Sequence, residues 1–357
     1  MNIQFVLKDF AKSGGVERIQ YNLARKFMES GHSVSFYILN GDPVDLDETL
    51  EFKTYKGDKT GILSAFREVF KLRKNLKVNG IDVLISAKEQ ANLISYFSSF
   101  FLKCTTIYTR HSALSVSEQK ISQRVIFLIY NLLTIGKGKV VTVSHALKDD
   151  LSRGLFWGKD RIFVCPNPVL TVAVFEKSII PIPSLKLPDE YICSVGRLTK
   201  TKGFDLLIKA YKRCLNNDPN FPELVIVGDG EEHESLTGLV KELLLTDRVH
   251  LIGYVNNPYY IMKNSSGFVL SSRNEGLPTV LIEAIALGVN VVSTDCPTGP
   301  KEILSNGEIG MLVPPENIDS LSLAMSKLTS DKLKETDILA MDRYSLERSA
   351  DAYTTIF

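Results

Sequence analysis

The sequence lacks the marks of several protein classes. Its five cysteines are scattered over 357 residues without a C-x-x-C pair, which argues against a zinc site or a disulfide framework and fits a reducing compartment. The apolar N-terminal run stops at Lys8, too early for a signal sequence. The stretch nearest to a membrane span, 93–102, has about half the required length. We therefore expect a cytoplasmic protein that at most rests on a membrane surface.

A large net charge of either sign is also lacking. The chain has 42 basic and 41 acidic side chains and a net charge of +1, which is not the footprint of a general nucleic-acid binder. The average hides an asymmetry, since residues 1–180 carry a net charge of +8 and residues 181–357 one of −7. The two halves are therefore predicted to face different partners or each other.

Two nucleotide-binding motifs are missing or incomplete. No G-x-x-x-x-G-K-[ST] segment occurs, which excludes a P-loop ATPase. The nearest approach to G-x-G-x-x-G is 228–233, which lacks the third glycine and carries acids that would repel a pyrophosphate. A nicotinamide-dependent enzyme is therefore poorly supported.

What the sequence does contain is a regular alternation of short apolar strands and amphipathic helices, typical of parallel-sheet α/β folds. We predict two doubly wound, Rossmann-like domains, 1–170 and 189–341, joined by a proline-containing linker, 171–188, and followed by a helical tail, 342–357. Ligands bind such sheets at the carboxyl ends of the strands, so we expect a site in a cleft between the domains. The predicted strands are 3–7, 33–39, 82–87, 105–109, 139–143, 161–165, 191–195, 223–227, 249–253, 267–271 and 290–294.

The most informative segment, 271–284, follows an apolar strand and opens a helix. Pro278 suits the first helical position, and the amides that follow it are ready to hold a phosphate. Glu275 and Glu283 would repel that phosphate, so a sugar nucleotide explains them better, with Glu283 accepting hydrogen bonds from ribose hydroxyls and Glu275 facing the sugar. The alternative is a solvated loop acid and a surface helix acid, and spacing alone leaves both open.

A second segment, 194–205, joins the first strand of the second domain to its first helix. Gly196 permits a tight exit from the strand, and Arg197 and Lys202 bring two cations to the carboxyl edge of the sheet. Together they could neutralise a diphosphate leaving group. A merely solvated basic loop is the alternative.

The first domain offers three further candidates. Gly14 and Gly15 directly precede a helix and would let the backbone approach an anionic ligand closely. His111 falls at the end of a strand, where open sheets supply site residues, although a structural histidine is the alternative. Asn167 also follows a strand but stands between prolines, so turn chemistry explains it equally well.

These segments together resemble glycosyltransferase family 4, the retaining, nucleotide-sugar-dependent enzymes of GT-B fold. The resemblance covers almost the whole chain and implies an α/β GT-B fold with an interdomain cleft. It rests on four motifs in the order of the family: G-G-V-E-R at 14–18, V-G-R-L-T-K-T-K-G at 195–203, V-G-D-G-E at 227–231, and Glu275-Gly276 with seven residues between Glu275 and Glu283.

The resemblance implies a role for each candidate residue. Arg197 and Lys202 would bind the donor diphosphate, Glu283 the ribose, and Glu275 the donor sugar near its 3- and 4-hydroxyls. His111 would lie near the 6-position of the sugar, and the tail 342–357 would cross back to the first domain. The donor-binding set implied is Gly15, Arg197, Lys202, Glu275, Gly276, Leu277, Pro278, Thr279 and Glu283, and the catalytic set is Glu275, Lys202, Arg197 and His111.

The implied reaction is transfer of a hexose or N-acetylhexosamine from a nucleotide-diphosphate sugar, with a UDP-sugar favoured, to an acceptor hydroxyl with retention at the anomeric carbon. Neither cofactor nor metal is expected, because Arg197, Lys202 and helix amides would stabilise the departing diphosphate. A front-face mechanism is favoured over Glu275 as a covalent nucleophile. The alternatives are an inverting transferase or a nucleotide-sugar epimerase of the same architecture, and a non-catalytic sugar-binding subunit.

The acceptor is indicated only by class. Segment 295–304 resembles one common in bacterial family members that build lipopolysaccharide, capsule or lipid-linked oligosaccharide, so we expect a glycolipid or polysaccharide acceptor. The basic stretch 67–77 and the aromatic-rich stretch 96–101 could lie on an anionic leaflet, at the cytoplasmic face of the inner membrane. A solvated basic helix with a buried apolar face is equally consistent with the pattern.

Overall fold

The computed structural model describes residues 1–10, 15–40, 52–57, 62–112, 122–136, 138–183, 185–328 and 333–357, except for the side chains of 62–64. The chain forms two compact units. The first comprises Met1–Pro168 and Ser345–Phe357, and the second comprises Val169–Tyr344. Both are doubly wound parallel-sheet α/β structures, so the predicted fold class is confirmed.

The first unit has a parallel sheet with the strand order β3-β2-β1-β4-β5-β6-β7 among its described residues. The order reverses between β1 and β4, which makes the carboxyl ends of these two strands a topological switch point. The strands are β1 Asn2–Leu7, β2 Ser33–Ile38, β3 Lys53–Lys56, β4 Val83–Ala87, β5 Thr105–Arg110, β6 Lys139–Thr142 and β7 Ile162–Val164. The helices are α1 Gly15–Glu29, α2 Ile62–Val78, α3 Glu89–Ser99, α4 Gln123–Leu133 and α5 His145–Ser152.

The second unit has a parallel sheet with the order β10-β9-β8-β11-β12-β13 and a switch point between β8 and β11. Its strands are β8 Tyr191–Val195, β9 Glu223–Val227, β10 Val249–Leu251, β11 Gly267–Leu270, β12 Val291–Thr294 and β13 Met311–Val313. Its helices are α6 Val172–Ser178, α7 Phe204–Asn217, α8 His233–Glu242, α9 Pro258–Lys263, α10 Thr279–Ala286, α11 Pro300–Ile303, α12 Ile318–Met325 and α13 Glu335–Leu339, and the last helix, α14 Leu346–Thr354, belongs to the first unit.

Strands with apolar side chains on both faces form the centre of each unit, as expected for sheets covered by helices on both sides. In the first unit the rings of Phe5 and Phe36 stack with centroids 5.3 Å apart, and Leu23 of α1 packs into the same buried cluster. In the second unit Leu207 and Tyr211 of α7 are completely buried in the corresponding core. Because the strands are buried on both faces, they consist of apolar runs, and these runs allow the sheets to be predicted from the sequence.

The chain termini meet in the first unit. Helix α14 packs on α1, where the ammonium of Lys26 lies 2.9 Å from a carboxylate oxygen of Glu347. Tyr353 of α14 is buried in the core of the first unit, and Lys139 donates a hydrogen bond to the carbonyl of Ile356. Ser345–Phe357 thereby add a helix to the sheet unit that the N-terminal residues build.

The structure adds three elements to those predicted. Each predicted strand lies within two residues of an observed one, whereas β3 and β13, each at an edge of its sheet, were not predicted. The segment 171–188, expected to be a linker, contains α6, which packs against α9 in the second unit. None of the helices described combines the length and apolar character required to cross a membrane.

Candidate active site

Two loops at the carboxyl edge of the second sheet are packed backbone against backbone. The amide of Gly196 donates to the carbonyl of Val227 at 3.0 Å. A Cβ at Gly228 would lie 1.9 Å from the oxygen of Gly196, and one at Gly230 would lie 2.4 Å from the oxygen of Leu198. The two glycines after β9 therefore let the loop after β8 approach closely, which gives the G-D-G sequence a structural role.

Lys202 and Glu275 form an ion pair. The Nζ atom of Lys202, in the turn Lys200–Lys202, lies 2.7 and 2.9 Å from the two carboxylate oxygens of Glu275. The hydroxyl of Ser272 donates to Oε1 of the same carboxylate at 2.6 Å. The Glu275 side chain is only 8% exposed and that of Lys202 27%, so each charge depends strongly on the other. The fold thus brings together two predicted site residues from different segments.

The loop after β12 supports the backbone around Glu275. The hydroxyl of Thr298 donates to the carbonyls of Glu275 and Gly276 at 2.6 and 3.1 Å, and the amide of Glu275 donates to the carbonyl of Pro297 at 3.3 Å. Burial, together with the negative charge of Glu275, raises the pKa of the neighbouring Cys296 thiol to about 12. Cys296 is therefore a neutral, buried neighbour of the acid and no nucleophile.

Helix α10 starts four residues after Glu275 and presents its first backbone amides there. The helix begins at Thr279, one residue later than predicted, and Pro278 occupies the cap position. Within the residues described, the amides of Thr279 and Val280 have no backbone acceptor, whereas that of Leu281 donates to Pro278. Glu283 is only 2% exposed, which excludes the alternative of a surface helix acid. The helix thus combines an open, positively polarised end with a buried carboxylate.

Arg197 is exposed to solvent. No hydrogen bond or ion pair of its guanidinium is found in the described part of the chain. The stem of Lys202 passes beside the backbone of Gly196, the residue that precedes Arg197. Arg197 consequently carries an uncompensated positive charge on the loop that also leads to Lys202.

Arg273 was not among the predicted site residues, although it lies between Ser272 and Glu275 in the segment singled out. Its Nη1 and Nη2 donate to the two carboxylate oxygens of Asp205 at 2.7 and 2.9 Å. Burial opposes ionisation of Asp205, but the hydrogen bonds from Arg273 prevail and lower its pKa. The same guanidinium also contacts Glu316, through Nε at 2.5 Å.

The candidate histidine of the first unit is held neutral. Nε2 of His111 lies 3.0 Å from the hydroxyl of Thr109 and 3.3 Å from the amide nitrogen of Gln20. Burial, with the positive charges of Lys88 and Arg110, lowers the pKa of His111 to about 4. The imidazole is therefore uncharged at neutral pH and can exchange hydrogen bonds with a hydroxyl without adding charge.

Lys88, which was not among the predicted site residues either, stands next to this histidine at the switch point of the first sheet. It follows β4 directly and has a φ of +75°, a left-handed conformation that is costly for a side-chain-bearing residue. Its ammonium lies 2.7 Å from the buried carboxylate of Glu17 and 3.8 Å from that of Asp9. In the sequence, only the position of Lys88 directly after a central strand indicates that it belongs to a site.

The remaining candidates of the first unit are placed as follows. Gly15 is the exposed first residue of α1, whereas Gly14 lies outside the described residues. Asn167 is buried beside His111, where its side chain favours a higher pKa of the imidazole, an effect outweighed by burial of the ring. Gly15, His111 and Asn167 belong to the first unit, whereas Arg197, Lys202, residues 275–279 and Glu283 belong to the second.

Two doubly wound parallel-sheet units, with a cation–carboxylate pair and a helix start at the carboxyl edge of one, are the architecture of a GT-B glycosyltransferase. The family model for Glycosyltransferase Family 4 matches residues 13–171, and that for Glycosyl transferases group 1 matches residues 176–341. The two models follow one another along the chain and together match most of it, so the predicted family and the predicted enzyme class, a glycosyltransferase, are confirmed.

Known proteins resemble both the whole chain and its parts. An uncharacterized glycosyltransferase of Haemophilus influenzae is 27% identical over 365 residues, 99% of each chain. The N-acetylgalactosamine-N,N'-diacetylbacillosaminyl-diphospho-undecaprenol 4-alpha-N-acetylgalactosaminyltransferase of Campylobacter jejuni is 38% identical over 47% of each chain. Among solved structures, Anabaena Alr3699/HepE in complex with UDP has a TM-score of 0.82 at 18% identity and covers 99% of both chains, a likeness of fold.

Proposed function

We propose that this protein transfers a hexose or an N-acetylhexosamine from a UDP-sugar to a hydroxyl of a lipid-linked or polysaccharide acceptor, with retention at the anomeric carbon, in bacterial surface-glycan synthesis. The observation that carries the proposal is the ion pair of Lys202 with Glu275, which stands in the loop that leads into the open start of α10. The preference for UDP is supported by the fold neighbour that was solved with UDP, and the lipid-linked acceptor by the Campylobacter relative.

In this proposal each group of the second unit has one task. The donor diphosphate binds Lys202, Arg197 and the first amides of α10, which include that of Thr279. The buried carboxylate of Glu283 accepts hydrogen bonds from the ribose, and Glu275 accepts them from hydroxyls of the sugar. Because Glu275 already neutralises Lys202, the cation is held in place before the donor binds, and little reorganisation is needed.

The proposed chemical step is a front-face displacement. The bond from the anomeric carbon to the β-phosphate oxygen breaks, and its electron pair stays on the departing UDP. The acceptor hydroxyl attacks the same face of the sugar and gives its proton to that phosphate oxygen. Lys202 and Arg197 stabilise the negative charge as it develops, so neither metal nor cofactor is required in this proposal. His111 remains a proposed contact of the sugar, with a neutral imidazole.

A donor screen tests this function. The purified protein is incubated with UDP-, GDP- and ADP-sugars in the presence of EDTA, and nucleotide release and thermal stabilisation are measured. We expect UDP to be released from a UDP-sugar. Of the three nucleotides, only UDP should stabilise the protein against unfolding, by about 2.7 kcal/mol at a hundredfold excess over its Kd. Stabilisation by GDP or ADP instead would overturn the choice of base, and stabilisation by no nucleotide would overturn the donor site.

We also propose that the first unit rests on an anionic membrane, at the cytoplasmic face of the inner membrane. Leu72 and Leu76 form the buried side of α2, whereas Phe66 and Phe70 of the same helix are each 70% exposed. A buried apolar face therefore does not account for these two aromatic rings. The same helix and the end of α3, which packs against it, carry further exposed basic and aromatic residues: Arg67, Lys71, Lys74 and Lys77 on α2, and Phe97, Phe100 and Phe101 at the end of α3.

Vesicle sedimentation tests this membrane contact. The full chain should bind vesicles that contain phosphatidylglycerol, and raising the salt should release it because the basic side chains of α2 supply the attraction. A Phe66→Ser, Phe70→Ser double variant should bind at least about tenfold more weakly, a loss of about 1.4 kcal/mol. Leu323→Ser, at an exposed apolar residue of α12, is the matched control. Binding that is absent in the wild type or insensitive to salt would refute the proposal.

A further inference from the structure

Several hydrogen bonds join the two loops that carry Lys202 and Glu275. The amide of Arg273 donates to the carbonyl of Thr201 at 2.8 Å, and the hydroxyl of Ser271 donates to the carbonyl of Lys202 at 3.0 Å. These contacts fix the backbones of the two loops. The guanidinium of Arg273 adds contacts that neither backbone could make alone.

That guanidinium reaches three separate segments. Its Nη1 donates to the carbonyl of Lys200 at 2.7 Å, within the turn that ends at Lys202. Its paired contact with Asp205 reaches the first turn of α7, and its contact with Glu316 reaches the loop after β13. The hydrogen bonds that Arg273 donates to these two carboxylates raise its pKa further above an already high value, so the charge is permanent. One side chain thus connects the loops after β8, β11 and β13.

Glu316 is held in an unfavourable backbone conformation within this network. Its φ is +58°, in the left-handed region, where side-chain-bearing residues are uncommon. Conformations of this kind persist when surrounding contacts fix them, and the contacts with Arg273 are of that kind. The guanidinium of Arg273 thus contacts a residue of the loop after β13 whose backbone conformation is uncommon.

We propose that Arg273 is a positioning residue of the donor site, which holds Lys202 and Glu275 in the arrangement that the transition state requires. The inference rests on the proposed donor site in the second unit. Arg273 acts through its neighbours and contacts neither substrate nor reacting atoms in this proposal. A planar guanidinium suits the task because it can bind Asp205 with two parallel hydrogen bonds and still reach Lys200 and Glu316, which an ammonium cannot.

The test compares Arg273→Met and Arg273→Lys with the wild type. We expect both to lower kcat by about tenfold or more, because small displacements of catalytic groups reduce rates steeply. The thermal shift produced by UDP should remain close to that of the wild type, because Arg197, Glu283 and the α10 amides still bind the nucleotide. Arg213→Met is the matched control, since Arg213 pairs with Asp319 at an exposed position of the same unit.

The results of these variants distinguish positioning by Arg273 from a simple effect of its charge. Full activity of Arg273→Lys would show that charge alone suffices and would overturn the proposal, as would full activity of Arg273→Met. Recovery of Arg273→Met by an added Asp205→Asn change would point to charge repulsion and would also overturn it. If the wild type shows neither transfer nor a shift with UDP, the proposed function fails before the role of Arg273 is reached.

Discussion

Replacing Lys202 with Met is expected to lower the rate of sugar transfer by about 10²- to 10³-fold, the typical effect of removing one preorganised group that stabilises developing charge. The ammonium of Lys202 lies where the proposed diphosphate leaving group gains negative charge. Its loss also leaves the carboxylate of Glu275, 8% exposed, with the hydroxyl of Ser272 as its remaining side-chain partner. The variant therefore places an uncompensated acid beside the phosphate.

Glu275→Gln should reduce transfer to a similar degree, because the amide keeps the shape of the side chain but loses the charge that holds Lys202. Single-turnover transfer and the thermal shift with UDP are measured for both variants and for the double variant. We expect the double variant to regain stability relative to Lys202→Met, because no buried charge is left unpaired, without regaining activity. Lys241→Met and Glu242→Gln, exposed positions at the end of α8, are matched controls. Transfer within threefold of wild type for either site variant would contradict the assignment.

The sheets could be predicted from the sequence because their strands are apolar on both sides. This reason fails for β3, one of the two strands that were not predicted. β3 reads Lys-Thr-Tyr-Lys and lies at the edge of its sheet, so exposure allows polar residues there. β13 lies at an edge of the other sheet and has only three residues, Met-Leu-Val. The prolines of segment 171–188 favour a linker. Helix α6 lies before these prolines, within the same segment, and packs against α9.

The candidate site could be predicted in its parts but not in its pairing. Lys202 and Glu275 were each selected from their local context, yet they are 73 residues apart and nothing in either segment specifies an ion pair between them. The role of Arg273 is not evident from the sequence, because its partners Asp205 and Glu316 are 68 and 43 residues away. Lys88 is distinguished by its backbone conformation, which the residue type does not reveal. Long-range contacts and strain are properties of the fold, so the sequence alone could not supply them.

Replacing a glycine after β9 is expected to cause a large loss of stability of the second unit. Gly228 has a φ of +142°, and a Cβ there would lie 1.9 Å from the oxygen of Gly196. Because the neighbouring atom is backbone, no side-chain rotation can relieve the overlap, and the loop after β8 must move. We expect Gly228→Ala to destabilise the second unit by about 3 kcal/mol or more, at the upper end of overpacking effects.

Thermal unfolding of the full chain, followed together with the shift produced by UDP, measures this effect. A loss of about 3 kcal/mol corresponds to a fall in Tm of roughly 6–12 °C for a unit of this size. Gly238→Ala is the matched control, because Gly238 lies inside α8 with no atom within 4 Å of the added Cβ, and the change should stabilise the helix by about 0.5–1 kcal/mol. Since the loop after β8 carries Arg197 and leads to Lys202, the Gly228 variant should also lose transfer activity in the fraction that remains folded. An unchanged Tm for Gly228→Ala would mean that the two loops are not in contact, and the proposed donor site would lose its supporting framework.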